Sequence, residues 1–258
     1  MLQLESDSRG IARLTMTRAE VHNAFDDAMI AALTEALEGV GCDPSVRALV
    51  LASEGKSFSA GADLNWMKRM AGYGEAENLA DARALARLMQ TLDGLPKPTI
   101  ARVQGAAFGG GVGLVACCDI AIGTPAARFM LSEVKLGLVP GVISPYVVKA
   151  IGQRAARRYF LTAERFAADE ALHLGLLHRL VPAEQLDAAV DETLDALLLG
   201  GPAALAAAKD LLFAVDRPLD AKVIEDTATR IAAIRATPEG QEGLAAFLGK
   251  RKPAWQES

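Results

Sequence analysis

Apolar and polar residues alternate through Leu2–Leu4 and Ile11–Met16 on either side of Asp7-Ser-Arg-Gly10, and this period of two around a glycine turn predicts a β-hairpin. Asp26–Val40 then shows helical spacing, with Asp26 placed to cap the first turn. Val46–Ala52 reads as a strand, Lys56–Ala60 leads into a turn at Ser59-Ala-Gly-Ala-Asp63, and Leu64–Met70 and Asn78–Leu92 read as helices separated by Gly72-Tyr-Gly74. Lys97-Pro98 restarts a strand at Thr99–Val103, and the apolar run Val112–Cys118 reads as a buried helix. Strands at Asp119–Ile122 and around Arg128–Leu131 follow. From about Pro182 the pattern is almost wholly helical, over 183–199, 202–215, 219–236 and 238–248. The expected class is α/β, with a core over 1–181 and a helical region over 182–258, jointed at Leu197–Ala208.

Composition narrows the reading only a little. A chain of 258 residues, 51% hydrophobic and 23% charged, can bury a large core and is a poor candidate for disorder. The formal net charge of -5 argues against a nucleic-acid surface. No apolar run reaches membrane-spanning length, and the first residues lack the basic-then-apolar pattern of a signal peptide, so a cytoplasmic protein is expected. Cys42, Cys117 and Cys118 have no metal-ligand spacing, and His22, His173 and His178 are scattered. The expectation is buried structural thiols at Cys117 and Cys118 and no metal.

The chemistry concentrates at two strand-to-helix turns built of small residues, Ser59–Asp63 and the triple glycine Gly109–Gly111. Backbone N–H groups at such turns are free to bind an oxyanion, since glycine permits close approach and the first N–H groups of a helix lack internal partners. Two turns offering one N–H each to the same carbonyl oxygen would stabilise an enolate formed from a thioester.

At this point the chain resembles the crotonase (enoyl-CoA hydratase/isomerase) superfamily. The resemblance rests on Arg13–Arg18, Ala60-Gly-Ala-Asp63, Gly105–Asp119, Leu131-Ser-Glu133, Gly137-Leu-Val-Pro140, Leu161-Thr-Ala163, Ala171–Leu176 and Phe247–Lys252, in that order and spacing. It implies a crotonase spiral of ββα units with a helical C-terminal trimerisation region, and hence a homotrimer or a dimer of trimers. It also implies an acyl-CoA substrate and no separate cofactor, with the thioester oxygen held by the N–H groups of Ala62 and Gly110. Glu133 is then the acid/base, and Ala60, Gly61, Asp63 and Gly109 shape the thioester site. Arg18 and Lys250 are the candidates for the phosphates of coenzyme A, although Ala19 and Glu20 depart from the pattern around Arg18.

The second glutamate usual in hydratases of this family is absent, because Gly113 stands at its position. A site with one acid suits an isomerase that moves a single proton. The stretches Val112–Ile122 and Val142–Val148 instead resemble bacterial 3-methylglutaconyl-CoA and isohexenylglutaconyl-CoA hydratases of leucine and isoprenoid breakdown, and on that reading Gly113 makes room for a branched acyl group. Ser144 and Tyr146 are auxiliary polar groups or, equally, cap and packing residues. A silent acyl-CoA- or RNA-binding relative, a thioesterase or a decarboxylase are the remaining alternatives. No Ser-His-Asp or Cys-His arrangement supports a nucleophilic mechanism.

Overall fold

The computed structural model describes residues 1–256. The hairpin forms from β1 (Leu2–Ser6) and β2 (Ile11–Met16), paired antiparallel. Helix α1 (Asp27–Cys42) follows, and the Asp26 side chain accepts from the Met29 N–H at 2.8 Å as its cap. After it the chain runs in strand pairs: β3 (Ala48–Ser53) with β4 (Ser57–Ser59), β5 (Thr99–Val103) with β6 (Ala106–Phe108), and β7 (Ile120–Gly123) with β8 (Arg128–Met130). The first strand of each pair joins one six-stranded sheet, which with β10 (Arg179–Leu180) has the order β1-β2-β3-β5-β7-β10. The second joins a four-stranded sheet, β4-β6-β8-β9, closed by β9 (Phe166–Ala167). Neighbours β4, β6 and β8 are parallel, so their C-terminal ends face the same way.

Helices fill the returns between pairs. α2 (Leu64–Met70) and α3 (Glu75–Asp93) follow β4, α4 (Gly110–Cys117) follows β6, and α5 (Ser144–Thr162) and α6 (Ala168–Leu174) lie on either side of β9. Being apolar all round, α4 is buried at the centre, with Val112, Leu114 and Val115 at 1% exposure or less. Cys117 and Cys118 are buried at its C-terminal end, where loss of water pushes their thiols up, to about 12 for Cys118. They are core residues, as expected.

The helical region expected over 182–258 opens on a helix that packs against the large sheet. α7 (Leu186–Leu198) packs Leu186, Ala189, Val190 and Leu194 against Ile11, Val50, Ile100 and Ile122 of the large sheet, so it belongs to the core. What stands beyond it is α8 (Pro202–Val215), α9 (Ala221–Ala236) and α10 (Pro238–Leu248). The Lys209 ammonium on α8, 9% exposed, ties this unit to the core at 2.8 Å from Asp119, which also accepts from the N–H and hydroxyl of Thr99. Among the described residues no single helix is long and apolar enough to cross a membrane.

Candidate active site

Three segments leave the C-terminal ends of three adjacent parallel strands: Ala60–Asp63 after β4, Gly109–Gly111 after β6, and Leu131–Glu133 after β8. Loops at the carboxyl edge of a parallel sheet converge, and ligands of such folds bind there. Close packing confirms the convergence. A β-carbon on Gly61 would stand 2.8 Å from the carbonyl oxygen of Phe108 and 3.8 Å from Cα of Gly109, and one on Gly109 would stand 3.2 Å from Oε1 of Glu133.

The two backbone donors are oriented by a residue that sequence reasoning missed. Phe25 N–H donates to the Gly61 carbonyl at 2.6 Å, and Asp63 N–H donates to the Phe25 carbonyl at 2.6 Å. These bonds straddle Ala62 in a parallel bridge and turn its own N–H away from Phe25. Ala60 N–H is committed to the His22 carbonyl at 2.9 Å and Gly61 N–H to Ser59 Oγ at 3.3 Å, so among the described residues Ala62 is left as the free donor of the turn. On the other side the Phe25 ring lies under the glycine turn, where a β-carbon on Gly110 would be 2.6 Å from its Cε2. Phe25, 1% exposed, is thus the spacer between the donors: its backbone sets Ala62 and its ring backs Gly110. As the first residue of α4, Gly110 presents an N–H with no carbonyl one turn earlier to receive it, at the positive end of the helix. The only sequence signal for Phe25 was its place immediately before the capping residue of α1.

Glu133 opens a short 3-10 helix after Leu131, which is 1% exposed and fixes the turn in the core. Its Oε2 is buried without a hydrogen-bond partner among the described residues. An acceptor left dry in this way costs stability, and it stays available to a proton on substrate or water. Burial pushes the carboxyl above its ordinary value of 4.5, toward the range that suits an acid/base near neutral pH.

Arg18 is placed differently from the phosphate role suggested by sequence. Its guanidinium donates to Asp26 at 2.8 Å, to Asp63 at 3.2 Å and to the Ala24 carbonyl at 3.2 Å. Asp26 and Asp63 cap α1 and α2, so Arg18 pins together the two chain segments that orient Ala62. Burial would raise the Asp63 carboxyl, but the N–H groups of Asn65 and Trp66 and the Arg18 charge outweigh it and hold it below 3.8. Arg18→Met would leave a buried carboxylate without its cation, at roughly 2–3 kcal/mol. The expected result is a lower Tm together with a lower kcat, and a KM that moves less than kcat. A pure loss of CoA phosphate contact would instead raise KM with kcat unchanged. Lys250 lies just beyond α10, and its neighbour Arg251 pairs with Glu242 at 2.6 Å.

Gly113 is the clearest departure from the sequence reading. A β-carbon there would stand 2.3 Å from Cγ2 of Ile143 and 3.2 Å from Cε of Met89. The space a side chain would have used is filled by Ile143, so Gly113 does not make room for a branched acyl group. Ser144 donates its hydroxyl to the Gly141 carbonyl at 2.7 Å within the turn that starts α5, and half-buried Tyr146 packs against the core. Tyr146 fits the packing reading; Ser144 does not cap α5, since Ile143 holds the N-cap position and the Ser144 hydroxyl donates to a carbonyl instead of accepting from a helix N–H.

A backbone N–H in the turn at Ala62 and another at the N-terminus of α4, with a carboxyl oxygen of Glu133 buried and unpartnered among the described residues, form an arrangement that can stabilise an oxyanion and move a proton next to it. The chain belongs to the enoyl-CoA hydratase/isomerase family, whose model matches residues 6–258. A crystal structure of an enoyl-CoA hydratase from Shewanella pealeana superposes with a TM-score of 0.96 at 51% identity, covering 98% of this chain and 95% of that one. A crotonyl-CoA hydratase of Syntrophomonas wolfei is 32% identical over 96% of this chain and 95% of its own length. The human mitochondrial methylglutaconyl-CoA hydratase is 31% identical over 98% of this chain and 76% of its own length.

Proposed function

We propose that the protein adds water across the α,β double bond of an enoyl-CoA thioester branched at C3, with Glu133 as its sole carboxyl acid/base. The observation that carries the reading is the Glu133 carboxyl, whose Oε2 is buried without a hydrogen-bond partner among the described residues while its Oε1 would stand 3.2 Å from a β-carbon on Gly109. The thioester oxygen would accept from the N–H groups of Ala62 and Gly110. As the water oxygen bonds to C3, the π electrons move to the thioester oxygen and the Glu133 carboxylate takes the water's proton. The enolate then collapses, Glu133 returns a proton to C2, and the carboxylate is restored. Coenzyme A enters only as part of the substrate. Support for the branched acyl group is the resemblance of Val112–Ile122 and Val142–Val148 and the human relative named for methylglutaconyl-CoA.

The apolar side chains over Gly113 favour a second reading, a shift of the double bond from the 3-enoyl to the 2-enoyl thioester, which one carboxyl performs without water. A spectrophotometric assay at the enoyl-thioester absorbance separates the two. Hydration is expected to remove absorbance from 3-methylglutaconyl-CoA faster than from crotonyl-CoA, in a manner abolished by Glu133→Gln. A rise in absorbance with a 3-enoyl-CoA, and no change with either 2-enoyl substrate, would replace hydration by isomerisation.

A homotrimer or pair of trimers is part of the proposal. α8–α10 and the turn between α8 and α9 expose Leu212, Leu219, Ile224, Ile231, Phe247 and Leu248, each at least 48% accessible, an apolar surface suited to a second copy. Lys250, at the end of α10, is the proposed phosphate contact carried from one copy to the next.

A further inference from the structure

We propose that Ile143 keeps this a one-carboxyl site and thereby sets the balance between water addition and proton shift; the chemical half of this proposal rests on the function proposed above. Gly113 donates its N–H to the Gly109 carbonyl at 3.3 Å and so lies one turn along α4 from it, and side chains on a helix incline toward its N-terminus. Gly109 lies against the Glu133 carboxyl. A long side chain at 113 would therefore rise toward that carboxyl and the substrate between them, which makes 113 the place on α4 from which a second acid/base could serve the reaction.

That place is closed. Besides the 2.3 Å approach to Cγ2, a β-carbon at 113 would lie 3.0 Å from Cβ of Ile143. Ile143, 3% exposed, is held where the chain enters α5, and a β-branched side chain has little rotamer freedom with which to swing aside. Met89, fully buried on α3, also crowds the position, its Cε 3.2 Å from the same β-carbon. Gly113 and Ile143 are thus a complementary pair: restoring a side chain at 113 requires that 143 shrink.

The chemical consequence follows from the proton count. Hydration needs a base for the water and an acid for C2. With two carboxyls, one takes the proton from water as the C3–O bond forms while Glu133, protonated, delivers its own to C2, and proton exchange between them resets the site. With one carboxyl, Glu133 must do both in turn, whereas a double-bond shift needs only one group to carry a proton between C2 and C4.

The test uses Gly113→Ala, Gly113→Glu, Ile143→Ala and both double variants, measuring Tm and the rates of hydration of crotonyl-CoA and isomerisation of a 3-enoyl-CoA. Gly113→Ala is expected to lower Tm in the wild-type background and to leave it level or raise it in the Ile143→Ala background. Equal effects in both backgrounds would overturn the steric pairing. Gly113→Glu combined with Ile143→Ala is expected to raise the ratio of hydration to isomerisation over Ile143→Ala alone by about 10²-fold, the lower end of what a positioned acid/base contributes. A folded double variant with an unchanged ratio would overturn the chemical role of Ile143. If the wild-type chain turns over neither of these thioesters nor 3-methylglutaconyl-CoA, the functional reading fails first and takes that chemical role with it, and the Tm comparison still decides the pairing.

Discussion

Replacing Glu133 with glutamine is expected to lower kcat by about 10³-fold while leaving the fold intact, since a positioned general acid/base contributes on the order of 10²–10⁴. Glutamine keeps the shape and the hydrogen-bonding reach of the side chain but cannot take or return a proton, so KM should change little. The same substitution should stabilise the protein near neutral pH. Burial raises the folded-state carboxyl above 4.5. In the window just above 4.5 the folded chain binds more protons than the unfolded one, and wild-type stability falls as pH rises through it. Glutamine does not titrate. Its advantage in Tm should therefore be present above that window and shrink as pH falls toward 4.5, which thermal unfolding across pH checks. An inactive variant that is also less stable near neutral pH would mean that Glu133 is held by contacts the buried, unpaired Oε2 does not make.

Gly110→Ala is expected to cost about 10²–10³-fold in kcat, the usual effect of losing one oxyanion donor, and roughly 1–3 kcal/mol of stability from overpacking. The added methyl would stand 2.6 Å from Cε2 of Phe25. Either the glycine turn lifts, which re-aims the Gly110 N–H, or the Phe25 ring moves and drags the backbone that orients Ala62 through Gly61 and Asp63. Both routes damage the hole. Phe25→Leu in the Gly110→Ala background should recover part of the lost stability and kcat, because the smaller side chain can make room for the methyl. If Gly110→Ala were as active as the wild type, the Gly110 N–H would not be an oxyanion donor.

Much of the fold was legible because its local signals agreed. The hairpin at Asp7–Gly10, the Asp26 cap and the Pro-initiated helices at Pro202 and Pro238 each combine a periodicity with a terminator, and they form where expected. Strand β6 was not legible, since Ala106–Phe108 is only three residues long and its strand character comes from pairing with Phe129 and Met130, far along the chain. The placement of α7 was hidden for a related reason. Its alanine- and leucine-rich sequence resembles that of α8–α10, and only the apolar face of the large sheet decides that α7 packs inward.

At the site, the small-residue turns at 59–63 and 109–111 were legible as turns after strands, and the resemblance to the crotonase superfamily then implied Ala62, Gly110 and Glu133. Phe25 and Ile143 sit outside those motifs and act by filling space against glycines distant in sequence. Arg18 was noticed for its charge, yet its neighbours Asp26 and Asp63 determine where that charge is used. A glycine in a motif shows that something approaches closely; it does not show whether that is a ligand, a phenyl ring or an isoleucine.

The most direct measurement is deuterium incorporation at C2 of the acyl chain, followed by NMR while 3-methylglutaconyl-CoA or crotonyl-CoA is turned over in D2O, for the wild type and Glu133→Gln. An enolate held by Ala62 and Gly110 and protonated by Glu133 should place deuterium at C2 in the wild type, with the rate falling about 10³-fold in the variant. Deuterium entering C2 equally fast without the carboxyl, or turnover that leaves C2 unlabelled, would contradict the assignment of Glu133 as the group that serves this oxyanion hole.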